Sequence, residues 1–232
     1  MSFLWDGLLE ALNRIVHLDP DLIGALLTTL QVSIGSTLVA SFFALPLGFF
    51  LAMRRFHGKP LVLAGLRTAL AAPTVVVALL VYSFVARHAP LGSLGILFTP
   101  TAIVIGQVLL ILPLLVALTH GALEPSTRTV YEEALLLGAS PPAAFWKAIL
   151  EAGGGVTTAV MTGFGRVVSE IGISLILGGN IRGFTRTMTT AIALETNQGD
   201  FAQAIALGVL LLCIVLTLNL VIQLVGRHPD AV

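Results

Sequence analysis

Residues 129–150 read TVYEEALLLGASPPAAFWKAIL, a short polar island between two long apolar stretches. The island fits two brief helices with a tight break between them. Thr129 and Glu132 have the S/T-x-x-D/E spacing of a capping box, which predicts a helix beginning at Val130. Gly138 can take the left-handed backbone that closes this helix after Leu137. Ser140 followed by Pro141 offers a second start, an N-cap with proline at the first helical position. Such a helix–glycine–helix elbow beside a membrane suits being gripped by a partner. An ordinary amphipathic loop between spans is the alternative.

The chain around the elbow is that of an integral membrane protein. It is 56% hydrophobic and 10% charged, with a mean hydropathy of +1.00, far from a soluble domain's balance. Its 232 residues suffice for about five spans of roughly 20 apolar residues each. The formal net charge is zero, which leaves no basic face for nucleic acid. The single cysteine, Cys213, lies in an apolar run and gives neither a disulfide framework nor a metal site. The N-terminus has no basic segment ahead of a cleavable apolar stretch, so no removable signal peptide is expected.

Residues 1–21 carry Leu4, Leu8, Leu9, Leu12 and Val16 at helical spacing, which predicts a helix along the membrane surface, a frayed tail being the alternative. Spans are expected at about 22–53, 61–86, 96–118, 153–178 and 203–226, in one membrane domain covering 1–232. A loop at 120–151 holds the elbow. Pro73 falls within the second span and predicts a kink. Pro100 and Pro113 lie near the start and inside the third. With the N-terminus outside and the C-terminus cytoplasmic, seven cations (Arg54, Arg55, Lys59, Arg67, Arg128, Lys147, Arg227) fall on the elbow's side and four (Arg14, Arg87, Arg182, Arg186) on the other. The positive-inside rule then puts the elbow in the cytoplasm.

Two segments carry polar chemistry at membrane depth. Arg166 and Glu170 stand four residues apart in the fourth span, where each charge costs roughly 2.5–3.5 kcal/mol on insertion scales. On one helix face they form an intrahelical ion pair, line a conduction path, or do both. Gly165 and Ser169 have the small-xxx-small spacing of close helix packing. The stretch 178–190, GGNIRGFTRTMTT, holds Arg182, Arg186 and four threonines with no acid. Guanidinium, hydroxyl and backbone N–H donors suit an oxyanion, and Thr187 or Thr189 can cap a helix through Glu195. An external loop that touches only a delivering protein and lipid headgroups is equally compatible.

Glu132-Glu133-Ala134, then Gly138-Ala139-Ser140, then Phe145, Ala148 and Leu150 resemble the EAA loop of ABC-transporter permeases of the type I importer fold. The family pattern is roughly E-A-A-x3-G-x9-I-x-L-P. Here Glu133 holds the second position, Ala148 the aliphatic one, and Glu151 stands where proline is usual. The run 163–196, GFGRVVSEIGISLILGGNIRGFTRTMTTAIALET, resembles the molybdate, sulfate and tungstate branch, above all tungstate-type permeases. Together the two motifs cover about residues 122–205.

The resemblance implies an all-α, multi-pass protein of the bacterial or archaeal plasma membrane. Two copies would form the pore, with two cytoplasmic ATPase subunits and an external binding protein that delivers the anion. Glu132, Glu133, Ala134, Gly138, Ala139 and Ser140 would couple to the ATPase. Arg166, Ser169, Glu170, Asn180, Arg182, Thr185, Arg186 and Thr187 would line the substrate path or gate. No cofactor, metal or catalytic residue is expected in this chain, ATP being used by the partner. Consistently, neither Lys59 nor Lys147 stands in G-x4-G-K-S/T, so the chain has no P-loop. A molybdate or sulfate permease is one alternative. A secondary transporter is another, although no paired repeats with broken helices are visible. An intramembrane enzyme would need a nucleophile–base pair, and His120 has no sequence partner for one.

Overall fold

The computed structural model describes residues 20–123 and 127–225. Among them it has ten α-helices and one 3-10 turn, Gly92–Leu94. The helices are α1 Pro20–Met53, α2 Lys59–Leu70, α3 Thr74–Val85, α4 Pro100–Leu123, α5 Thr127–Leu136, α6 Pro141–Glu151, α7 Gly153–Val168, α8 Gly172–Gly178, α9 Met188–Gln198 and α10 Phe201–Val225. No strand occurs among the described residues. The surface helix expected over 1–21 lies outside them, apart from Pro20 and Asp21, which open α1.

Helices α1 and α4, and α10 as far as Leu220, are long and apolar enough to cross a membrane. The pairs α2–α3 and α7–α8 pass the same test together, which brings the number of crossings to as many as five. With backbone hydrogen bonds closed inside each segment, helices are the solution a bilayer permits here.

The packing centre is α1 against α4. Ser36, Ala40, Ala44 and Gly48 recur at every fourth position of α1 and are all buried, so small side chains make a strip along which the two backbones approach. At Gly48 a Cβ would stand 2.7 Å from Thr119 Cβ and 3.1 Å from the His120 amide, so only glycine fits that crossing. Two buried threonines of α1 bond back into the helix: Thr29 Oγ1 donates to the Ala25 carbonyl at 2.7 Å and Thr37 Oγ1 to that of Ser33 at 2.7 Å. Around this pair Val81 and Val85 of α3, Ile111 and Leu115 of α4, Val167 of α7, and Ile173 and Leu177 of α8 close the main core. A second cluster joins the start of α1 to α9 and α10 through Leu22, Ala25, Met188, Ala191 and Leu207.

The structure corrects four local expectations. The kink at Pro73 is a break, with α2 and α3 meeting at 98°. Proline disfavours helical backbone at the residue before it. The α2 helix therefore ends in two tightened turns, Ala71 N–H to Thr68 and Ala72 N–H to Ala69, and Pro73 becomes the extended N-cap of α3. The third apolar helix begins at Pro100 and runs on to Leu123, past the expected end at 118, because nothing before Leu123 breaks the pattern. The fourth span is α7 and α8 bent by 57°, so Glu170 lies in the break and not on a common helix face with Arg166. Within the elbow, α5 already includes Thr127, two residues ahead of the expected cap at Thr129, and Glu132 pairs with Arg128 at 2.7 Å instead of capping.

Candidate coupling elbow and transport pathway

The elbow closes as its glycine dictates. Gly138 has φ +90°. Its N–H donates to the Leu135 carbonyl and that of Ala139 to Ala134, both at 3.0 Å, which is the two-bond Schellman ending of α5. Ser140, with φ −67° and ψ 154°, occupies the N-cap position of α6 and Pro141 follows it, although the serine side chain makes no capping bond. Leu136 and Leu137 at the tip are 87% and 89% exposed, while Glu132, Glu133, Gly138 and Ser140 stand on the surface beside them. Inward, Ala144, Ala148 and Ile149 are buried. Phe145 of α6 and Tyr131 of α5 both meet Phe49 of α1 edge-on, at 4.8 and 5.3 Å between centroids. The elbow thus presents an apolar tip away from the bundle on a base clamped to α1.

Glu151, where the family pattern has proline, stays exposed and faces Lys147 at 4.0 Å. The separation of α6 from α7 comes one residue later, at Ala152, followed by three glycines.

The break between α7 and α8 gathers the charged pair. Arg166 Nη1 donates to Glu170 Oε2 at 2.8 Å, with the arginine side chain 40% exposed and the glutamate 4%. Glu170 Oε1 also accepts from the Ile173 amide at 3.3 Å at the start of α8. The Glu170 carbonyl takes hydroxyls from Ser174 at 3.3 Å and from Thr189 at 3.0 Å. One residue thus ties α7, α8 and α9 together. The exposed side of Arg166 opens on a groove of about 490 Å³ lined by Leu70, Leu110, Leu114, Thr162, Gly165 and Ser169. Gly165 has open space where a Cβ would be.

The threonine-rich segment is built inward. Thr185, Thr187, Thr189 and Thr190 are all buried. Thr187 caps α9 in a reciprocal box with Thr190, not through Glu195. Thr185 Oγ1 donates to the Gly178 carbonyl at 2.5 Å and accepts from the Ile181 amide at 3.0 Å. The Met188 amide donates to Thr29 Oγ1 of α1 at 2.8 Å. Arg186 Nε donates to Asn180 Oδ1 at 3.2 Å, and Asn180 itself has φ +52°. Exposed Arg182 forms a two-point pair with Asp21 at the start of α1, Nε to Oδ1 at 2.6 Å and Nη2 to Oδ2.

Residues 44–230 match the family described as binding-protein-dependent transport system inner membrane component. The chain belongs to that family. It is a multi-pass membrane permease. It is 35% identical to the tungstate uptake system permease protein of Peptoclostridium acidaminophilum, over 96% of this chain and 97% of that one. It is 36% identical to its counterpart in Campylobacter jejuni, over 98% and 95%. The molybdenum transport system permease protein of Azotobacter vinelandii is 29% identical over 78% and 84%.

This permease brings Arg166, Ser169 and Glu170 to one break and joins them to Thr189 through the Glu170 carbonyl. Asn180, Arg182, Thr185, Arg186 and Thr187 form a separate folded loop that leans on Thr29 and Asp21 of α1. Sequence reasoning passed over Gln107. It is 1% exposed in α4, accepts from Ser36 Oγ at 2.9 Å and donates to the Val167 carbonyl at 3.3 Å, linking α1, α4 and α7. A lone amide in an otherwise apolar span was the available signal. Phe49 was also passed over, because one aromatic in an apolar run looks no different from its lipid-facing neighbours.

Proposed function

We propose that the chain is the permease subunit of an ATP-driven importer for tungstate, acting as a homodimer with two cytoplasmic ATPase subunits and an external binding protein. The single observation that carries the coupling half is the elbow, whose apolar tip at Leu136 and Leu137 is exposed on a base clamped to α1 by Phe49. The anion half is supported by near full-length likeness to two tungstate permeases and by Arg166 opening on a groove at membrane depth.

In this reading the elbow faces the cytoplasm, in line with seven cations on its side against four on the other. ATP binding draws two ATPase subunits together, and each carries an elbow with it as a rigid body. Glu132, Glu133, Ala134, Gly138, Ala139 and Ser140 form the docked surface. The motion passes through Phe49 to α1 and through α6 to α7, where the Arg166–Glu170 break flexes between inward and outward openings. Ser169 lies on the pathway side of that break. Asn180, Arg182, Thr185, Arg186 and Thr187 shape the outer mouth; the threonines act as scaffold, since their hydroxyls are held internally. The chemistry of ATP lies in the partner.

Uptake of labelled tungstate into vesicles carrying the chain, its ATPase and its binding protein tests the reading. ATP-dependent uptake that excess molybdate and sulfate barely reduce is the expected result. Equal competition by molybdate would widen the substrate to a shared oxyanion. Uptake without ATP or partners would overturn the reading and favour a secondary transporter.

A further inference from the structure

We infer that the inner leg of the anion route runs along α2, with Arg67 as an oxyanion station beside the Arg166 groove and Lys59 and Arg55 at the exit. The inference rests on the importer reading above and adds residues to it. Two grooves open on this one helix. The first, that of Arg166, includes Leu70 together with Leu110 and Leu114 from the middle of α4. The second, of about 650 Å³, is lined by Arg55, Phe56, Lys59, Pro60, Leu63, Ala64 and Arg67. Arg67 precedes Leu70 by three residues, about 4.5 Å of helix rise, so the two grooves are neighbours along α2.

Lys59, Leu63 and Arg67 recur at every fourth position and share one face of α2. No carboxylate lines the second groove. Among the described residues neither Arg55 nor Arg67 has an ion-pair partner, in contrast to Arg166, Arg128 and Arg182. Arg55 and Arg67, unpaired among the described residues in a cleft with apolar walls, raise the local concentration of anions. An arginine within a helix pair apolar enough to cross a membrane also needs a wet surface to face, and the groove supplies one.

The 98° turn at Pro73 makes the arrangement possible. A straight span would carry α2 along the bundle's apolar wall. The break lets α2 lean on the main core through Leu63 and Leu66 while Arg67, at the edge of that face, and Arg55 stay exposed. A tetrahedral dianion leaving the Arg166 groove past Leu70 would meet Arg67 about one turn further along α2 and then the Lys59–Arg55 rim. Each step exchanges one guanidinium or ammonium partner for the next, with no bond made or broken.

The test uses the complete importer in vesicles with Arg67→Gln, Arg67→Lys and Lys59→Gln. The expected result is that Arg67→Gln lowers tungstate moved per ATP hydrolysed about tenfold, the lower end of what focused charge contributes to anion capture. Arg67→Lys should recover most of it, and Lys59→Gln should lose less. The readout specific to charge is salt. Uptake by the unaltered chain should fall as ionic strength rises, and Arg67→Gln should flatten that dependence. Unchanged uptake by Arg67→Gln in an importer that otherwise works would overturn the inference and leave the importer reading intact. A lower amount of inserted chain with unchanged uptake per transporter would also overturn it, and make the groove a seat for lipid headgroups. Failure of the unaltered importer to take up tungstate would count against the importer reading instead.

Discussion

The rings of Phe49 and Phe145 meet edge to face with their centroids 4.8 Å apart, and Tyr131 meets the same Phe49 ring from α5 at 5.3 Å. A single α1 side chain therefore holds both arms of the elbow. Leu123, Ile149 and Val156 close the small core beneath it.

Phe49→Ala should separate the elbow's motion from the bundle. Phe49 is half-buried, so about 2–3 kcal/mol is expected, below the roughly 3–5 of a fully buried phenylalanine. Purified protein should melt several degrees lower, and tungstate uptake per ATP hydrolysed should fall further than the amount of chain does. Phe49→Leu should recover much of the stability and only part of the coupling. Full coupling in Phe49→Ala would remove the clamp from the mechanism.

Gly138 tests the elbow by backbone alone. A Cβ there would meet nothing within 4 Å, so substitution acts through φ +90°. The left-handed conformation costs most side chains about 1–2 kcal/mol. Coupling should decline in the order Gly, Asn, Ala, Val, while the two permease copies still assemble. Normal transport by Gly138→Val at a normal level in the membrane would exclude the coupling role.

Arg166→Gln leaves the Glu170 carboxylate buried without its cation. Losing one partner of a buried pair typically costs about 3–5 kcal/mol; the 40% exposure of Arg166 argues for the lower end here. Adding Glu170→Gln should restore part of that stability without restoring transport, since the groove has then lost its guanidinium. A double mutant that transports normally would reduce the pair to structure.

Gln107→Leu should lower thermal stability by about 1 kcal/mol, because the Ser36 hydroxyl and the Val167 carbonyl each lose one buried partner and keep another, the Ser33 carbonyl and the Glu170 amide. Combined with Ser36→Ala it should cost less than the two single losses added, since the Ser36–Gln107 bond is then removed from both sides. Additive losses in melting experiments would show that the two residues act independently.

Much of the site was legible because its signals are local. Gly138, Ser140 and Pro141 need only their neighbours to specify a turn, and the turn formed there. The i,i+4 spacing of Arg166 and Glu170 likewise brought an ion pair, although the helix ended between them. The threonines of 185–190 were harder to read. A hydroxyl can serve a ligand or a backbone, and only folding against Thr29 and Glu170 determined that these serve the backbone.

The sequence by itself determined the class, since runs of uncharged residues longer than a bilayer leave few alternatives to membrane helices. It also determined the elbow, whose positive-φ glycine and helix-starting proline act over a few residues. Tertiary structure decided where helices break and what they face. Whether Pro73 kinks or splits a span, whether Glu170 lies in a helix or a hinge, and which phenylalanine clamps the elbow depend on contacts between residues far apart in the chain. A pattern of local spacings does not encode those contacts.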